Sequence, residues 1–171
     1  MDTFFEQIIY IRKTGKTFVA VLGIWLLALI LCAFLILFPV LRALTILLVC
    51  GIIFGAYKLA SLFNVEYEYI ITNGTLDIDK IINKSSRKRV LSLELANVSR
   101  LEKYNPATAN TIKSKELTLA CNENDEGAYL LVAERDGKPA SYLVFAPNER
   151  IKEAIIKFVP KYIANNAFKE N

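Results

Sequence analysis

The sequence contains no histidine, so Ser-His-Asp and Cys-His catalysis and the commonest zinc ligand are all excluded. Its seven glycines are scattered and form none of the glycine motifs that hold a phosphate or expose a nucleophile. The oxygen-rich stretch NENDEG, residues 122–127, lacks the ligand spacing of a calcium loop. We therefore predict a protein without enzymatic activity and with no catalytic residues, cofactor or metal.

Cysteine is also scarce. Cys32 and Cys50 lie in long apolar runs and Cys121 lies in a predicted strand, without the C-x-x-C spacing of a redox or metal site. We expect all three to be small buried side chains and not a disulfide framework.

The C-terminal two thirds of the chain has no marked excess of either positive or negative charge. The net charge is +4 overall, but basic and acidic side chains nearly balance in residues 64–171. A nucleic-acid-binding domain usually carries a marked basic excess, so a nucleic-acid partner is not expected.

Two long apolar runs occupy residues 18–63. Phe18–Phe38 is free of charge, and Ala43–Phe63 is interrupted only by Lys58, whose amine can reach the headgroups while its stem stays apolar. At about 1.5 Å per residue, each run can cross the roughly 30 Å core of a bilayer. Residues 39–42 connect the runs so tightly that we predict a transmembrane helical hairpin, and a lipid bilayer is the first expected partner. A buried helical hairpin in a soluble protein is the alternative.

The charges that flank the runs predict an orientation. Arg12, Lys13 and Lys16 precede the first run, and only Arg42 lies in the connector. By the positive-inside rule both termini face the cytoplasm, which predicts a multi-pass protein of the cell (inner) membrane.

Residues 1–17 are expected to form an interfacial amphipathic helix. Thr3 and Glu6 have capping-box spacing, and Phe4, Ile8 and Ile11 recur at helical spacing. A helix that packs on the soluble domain fits the same pattern.

The rest of the chain alternates between apolar and polar residues with a period of two, which is typical of half-buried strands. Seven strands are predicted: Asn64–Ile71, Leu76–Ile82, Val90–Leu95, Val98–Tyr104, Glu116–Cys121, Ala128–Arg135 and Ala140–Ala146. Asn73-Gly74 predicts a type I′ turn. Ile151, Ala154, Ile155, Phe158 and Val159 form one apolar helical stripe that ends near Pro160. Residues 64–164 are thus expected to be an antiparallel barrel or sandwich with a capping helix, and residues 165–171 a frayed tail.

This order of elements resembles the pleckstrin-homology-like (PH-like) fold, which has seven strands followed by a C-terminal helix. The helical hairpin followed by Tyr69–Asn73, Arg87–Arg89 and Leu91–Val98 also resembles bacterial PH-like membrane proteins. The resemblance implies an α+β membrane protein whose cytoplasmic domain is a binding or scaffold module. The first hairpin loop, TNGT, carries no cation, so the phosphoinositide specificity of other members is not implied.

Two sets of residues are candidate contact sites. Lys84, Arg87, Lys88 and Arg89 form a basic cluster that fits a solvated hairpin turn, a contact with anionic lipid headgroups, or a contact with a protein partner. Gly51 and Gly55 form a small-xxx-small pair that allows close packing against the first helix or homodimerisation.

The expected function is a non-enzymatic module that presents a PH-like domain at the inner membrane surface. An accessory subunit of a transporter or envelope-stress complex, pairing through its hairpin, is the alternative.

Overall fold

The computed structural model describes residues 3–37, 43–105, 117–122, 125–135, 138–166 and 168. The chain divides into two compact units. The β-rich unit comprises Met1–Ile11, Glu66–Ile81 and Arg87–Asn171, and the helical unit comprises Arg12–Val65 and Ile82–Ser86.

Two helices make up most of the helical unit. Helix α1 is Gly15–Leu37 and helix α2 is Thr45–Ser61, and the two contact each other. Only Ala28 of α1 is buried. By length and composition α1 can cross a membrane, whereas α2, with 17 residues, is a shorter apolar helix. The connector predicted at residues 39–42 lies outside the described residues.

Eight strands form two four-stranded sheets in the β-rich unit. Their bounds are β1 Phe4–Tyr10, β2 Val65–Thr72, β3 Thr75–Ile82, β4 Ser86–Glu94, β5 Val98–Lys103, β6 Leu117–Leu119, β7 Tyr129–Arg135 and β8 Lys138–Phe145. The first sheet has the order β1-β2-β3-β4 and the second the order β5-β7-β8-β6. A 3₁₀ turn, Leu95–Asn97, joins them. Each of the seven predicted strands is present.

The N-terminal prediction was wrong, because residues 4–10 form a strand and not an interfacial helix. Strand β1 pairs antiparallel with β2 over seven residues, from Phe4 opposite Thr72 to Tyr10 opposite Glu66. Thr3 does not cap a helix, since its amide donates to Asn73 Oδ1 at 3.2 Å. Ladder hydrogen bonds to β2 satisfy the backbone groups that an isolated short helix would leave to water.

One pairing direction also differs from the expectation. Strand β6 runs parallel to β8, with Leu117 opposite Tyr142 and Leu119 opposite Val144, although every strand was expected to be antiparallel. Strand β7 occupies one edge of β8, so β6 pairs with the other edge. The long connection that precedes β6 lets the chain enter that edge in either direction.

Helix α3, Glu149–Phe158, closes the core as predicted. Asn148 caps its start, where the side chain oxygen accepts from the Ile151 amide at 2.9 Å. Ile151, Ala154 and Ile155 are fully buried, and the helix stops just before Pro160. A last turn, α4 (Lys161–Ala164), follows.

Within the tail that was predicted to be frayed, Phe168 contacts the domain. Phe168 packs edge-to-face on Tyr129, with ring centroids 4.7 Å apart, and Lys152 Nζ lies 5.7 Å from the Phe168 centroid. An aromatic side chain near the end of a polar segment gains enough apolar contact to hold that segment on the core.

Tyr69 of β2 connects the two sheets. Its ring is fully buried and packs edge-to-face on Phe145 at 5.8 Å. Its hydroxyl donates to the Ala120 carbonyl at 2.6 Å and accepts from the Ala146 amide at 3.3 Å. Burial raises the pKa of the Tyr69 phenol far above its ordinary value, so the group stays neutral.

Gln7 fastens β1 to the start of α3. Its side-chain amide donates to the Ala146 carbonyl at 2.9 Å, and its side-chain oxygen accepts from the Asn148 amide at 2.8 Å. Strand β1 is therefore held both by the ladder with β2 and by a side chain that reaches the helix cap.

We expect Tyr69→Phe to lower the free energy of unfolding by about 1–3 kcal/mol, because it leaves two buried backbone groups without a partner. Tyr67→Phe is the matched control, since Tyr67 lies two residues away, is half-buried, and its hydroxyl makes no hydrogen bond within the described part of the chain. Thermal unfolding of the full chain in detergent, followed by near-UV circular dichroism, measures both. Equal melting temperatures for the two variants would contradict the bridging role of the hydroxyl.

Candidate functional site

The basic cluster begins at the turn between β3 and β4. Asn83 and Lys84 both have positive φ, at 51° and 55°, as a type I′ turn requires. The Asn83 amide donates to the Asn64 carbonyl at 2.8 Å, and the Ser85 amide donates to the Ile82 carbonyl at 3.2 Å. The hairpin expected at this position is present, and its tip is the exposed pair Lys84 and Ser85.

Most of the cluster lies in strand β4 and not in the turn. Because β4 starts at Ser86, Arg87 and Arg89 occupy alternate positions of a strand. Arg87 Nη2 lies 2.6 Å from Glu68 Oε2 of β2. Arg89 joins two carboxylates of β3, with Nη1 2.8 Å from Asp77 Oδ2 and Nε 2.9 Å from Asp79 Oδ1.

Asp77 and Asp79 occupy the polar positions of the alternating strand β3, but they do not form a solvated face. Asp79 is 4% exposed and Glu68 is 2% exposed, and the two guanidinium groups cover them from solvent. The hydrogen bond and charge of Asp79 raise the pKa of Arg89 above its ordinary value. A buried carboxylate is tolerated where a cation pairs with it, and these three carboxylates have two arginines.

The cluster is therefore close to neutral, because Arg87 and Arg89 are matched by Glu68, Asp77 and Asp79. The side chains of Lys84 and Lys88 are exposed. Arg87 and Arg89, which were proposed for lipid or partner contact, are thus engaged inside the domain. Opposite charges at alternate positions of β3 and β4 were the sequence signal for this pairing.

The surroundings of Glu68 also change its protonation. Burial raises the pKa of Glu68, a hydrogen bond with Glu6 of β1 raises it further, and the charge of Arg87 lowers it. Glu68 of β2 is directly opposite Ile8 of β1 in the ladder. Glu6 lies two residues before Ile8 on β1. Ionised Glu68 is thus less favourable in the folded state than in water.

The second predicted set lies in α2. A Cβ placed on Gly51 or Gly55 would have no neighbouring heavy atom within 4 Å. Within the described residues, neither glycine is packed closely against α1.

The described part of the chain contains no candidate metal site and no activated thiol. No group of three His, Cys, Asp or Glu side chains converges there on a possible ion. Cys121 is half-buried, and burial raises the pKa of its thiol to about 11, which keeps the thiol protonated and unreactive.

Comparison with known proteins returns one match. The model of the family described as bacterial PH-like domain (DUF6106) matches residues 1–165. No curated protein and no solved structure shows significant similarity to the chain.

We expect Glu68 to make the domain more stable as the pH falls. A folded pKa above the unfolded value means that the folded state binds more protons between the two values. This contribution is fully present below the unfolded pKa, about 4.3, and is lost as the pH rises through the raised folded pKa. Melting temperatures of wild type and Glu68→Gln, measured from pH 4.5 to 8, should converge at the acidic end only if the glutamate is protonated there.

Glu102→Gln is the matched control, since Glu102 is partly exposed and pairs with Arg100 at 2.8 Å. Its melting temperature over the same pH range gives the effect of the same substitution at a partly exposed carboxylate. A pH-independent difference between wild type and Glu68→Gln would contradict the raised pKa.

Proposed function

The chain belongs to the bacterial PH-like domain family, and from this premise we propose that it is a non-enzymatic membrane protein that holds a PH-like binding domain at the cytoplasmic face of the inner membrane. The observation that carries the proposal is the pairing of β1 with β2, which flank the helical segment in the chain.

The apolar surface of α1 supports insertion in a bilayer. Its exposed large side chains cover most of the helix surface, outside one stripe that runs from Val21 through Ala28 to Leu35, and include Phe18, Leu22, Trp25, Leu29, Ile30, Phe34 and Ile36. Monomeric soluble proteins seldom expose a contiguous apolar patch larger than a few hundred Å². A helix of 23 residues is about 35 Å long, enough to cross the hydrocarbon core.

The pairing of β1 with β2 supports a second crossing. Tyr10 lies shortly before α1, and Glu66 lies shortly after α2. The two residues are directly opposite each other in the ladder. A segment whose two ends are held together starts and finishes on the same side of a membrane. If α1 crosses, the chain must cross again before residue 66, and α2 is the apolar element available for the return.

Helix α2 is short for this role but suited to it. Its 17 residues span about 26 Å, a little less than the hydrocarbon core, and a short span is accommodated by local thinning and by flanking residues. Lys58 lies three residues before the end of α2, near enough to the proposed cytoplasmic interface for an extended lysine side chain to reach the headgroups.

Charge supports the cytoplasmic placement of the domain. Arg12, Lys13 and Lys16 lie between β1 and the apolar part of α1. The positive-inside rule places such residues, and with them β1 and β2, on the cytoplasmic side.

A binding role is supported over a catalytic one. The chain has no histidine and no nucleotide or nucleophile motif, and Arg87 and Arg89 neutralise carboxylates of their own domain. The motifs of the sequence contain no pair of a nucleophile with a base, which a catalytic site of this type would need.

Cysteine accessibility tests the two crossings. Cys32, Cys50 and Cys121 are replaced by alanine, and a single cysteine is introduced either as Val40→Cys, between the helices, or as Lys88→Cys, in the domain. We expect a membrane-impermeant maleimide to label Val40→Cys in intact spheroplasts and Lys88→Cys only after permeabilisation. The matched control is Lys13→Cys, which should behave as Lys88→Cys does.

Three results would contradict the proposal. Release of the protein from membranes by alkaline carbonate would exclude insertion of α1. Labelling of all three cysteines only after permeabilisation would exclude the crossing, and labelling of Lys88→Cys from outside would reverse the orientation.

A further inference from the structure

A small cavity lies where the β2–β3 turn meets the end of α3. It has a volume of about 280 Å³ and is lined by Asn73, Gly74, Thr75, Glu94, Ala96 and Phe158. All six belong to the β-rich unit. The cavity is far in sequence from Gly51 and Gly55, and none of its lining residues belongs to the basic cluster.

The turn is shaped to lie against the Phe158 ring. Asn73 and Gly74 have φ of 49° and 90°, the type I′ turn that the sequence predicts. A Cβ on Gly74 would lie 3.1 Å from Phe158 Cδ1 and within 3.6 Å of two further ring atoms. The Gly74 carbonyl accepts from the Leu95 amide at 2.8 Å, which fixes the turn to the residue between Glu94 and Ala96.

Three features of the cavity favour a positive charge. The Glu94 carboxylate is exposed and has no hydrogen-bond or ion-pair partner in the part of the chain that the structure describes. The Phe158 ring offers the negative electrostatic potential of an aromatic face. Phe158 is also the last residue of α3, so the cavity lies at the end of the helix that carries the negative end of the helix dipole.

The neighbouring side chains named here do not balance the negative charge of Glu94. Lys157, next to Phe158, has its amine 5.6 Å from the Phe5 ring centroid on β1. Asn73 Oδ1 is used by the Thr3 amide. The Thr75 hydroxyl is a further acceptor on the cavity wall, and it makes no hydrogen bond within the described residues.

We propose that this cavity binds an alkylammonium group, held by the Glu94 carboxylate and the Phe158 ring. A carboxylate together with an aromatic face suits an organic cation, because the alkyl groups gain from the ring while the charge is balanced. A metal ion gains little from a ring and prefers several oxygen ligands, and an anion would be repelled by Glu94. The volume is below the usual range for a drug-sized ligand, so the group is small.

The alkylammonium group has two possible sources, a free amine or the headgroup of an ethanolamine lipid. The chemistry of recognition is the same in both, and the cavity is argued without reference to the bilayer. The inference therefore stands or falls separately from the proposed membrane crossing, which the cysteine labelling tests.

The experiment follows the ¹³C-methyl resonance of Ala96 and the amide resonance of Gly74, with the full chain in phosphatidylglycerol nanodiscs. Tetramethylammonium chloride and methylammonium chloride are titrated separately, and sodium chloride serves as the control for ionic strength. We expect a saturable shift of both resonances with at least one ammonium salt and none with sodium chloride. Nanodiscs that contain phosphatidylethanolamine should show the shift without a soluble amine if the lipid is the source.

Two variants assign the contacts. Glu94→Gln removes the charge at an exposed position and should weaken binding at least about 5-fold, and Phe158→Leu keeps an apolar side chain and should weaken it about 2- to 5-fold. Glu153→Gln, an exposed carboxylate on α3 outside the cavity, should bind as wild type does.

Shifts from either source, lost in Glu94→Gln and kept in Glu153→Gln, support the site. The absence of a saturable shift with both ammonium salts and with the ethanolamine lipid overturns it. An equal affinity of Glu94→Gln and wild type overturns it as well.

Discussion

The antiparallel pairing of β1 with β2 is the constraint on which the rest of the structure depends. The seven paired residues hold the beginning and the end of the helical segment next to each other, at Tyr10 and Glu66. Gln7 extends the same strand to the cap of α3, and Tyr69, opposite Gln7 in the ladder, reaches across the core to the second sheet. Removal of β1 would therefore expose an edge of the first sheet and also free the start of the closing helix.

Local patterns were sufficient to predict most of the domain. Period-2 alternation located the strands from Asn64 onwards, and Asn73-Gly74 supplied the positive φ of the turn. The stripe from Ile151 to Val159 predicted α3, because a helix that covers a core must bury one face. In each of these cases the neighbouring residues along the chain contain the determining information.

The errors arise where the determining partner is distant in sequence. Phe4, Phe5, Ile8 and Ile9 fit both a helix and a strand, and seven residues are too few to separate the two periods. The choice is made by β2, which lies beyond the entire helical segment. The position of β6 depends likewise on which edge of β8 remains free.

The charged cluster shows the same limit. Composition revealed four basic side chains in a short stretch, but the sign of a surface depends on what each side chain faces. Arg87 and Arg89 face Glu68, Asp77 and Asp79, so a stretch that is basic in sequence is almost neutral in space. Glu94 and Phe158 show the reverse. They are far apart in sequence and belong to no motif, but both line one cavity.

The position of the helical segment between two paired strands also has a consequence for biosynthesis. The ribosome delivers β1 first and β2 only after both helices, so β1 has no ladder partner while residues 11–64 are made. Closing so long a connection is slow and entropically costly for a free chain. Packing of α1 against α2 shortens the free connection between residues 11 and 65. We therefore expect assembly of the helices to favour completion of the sheet.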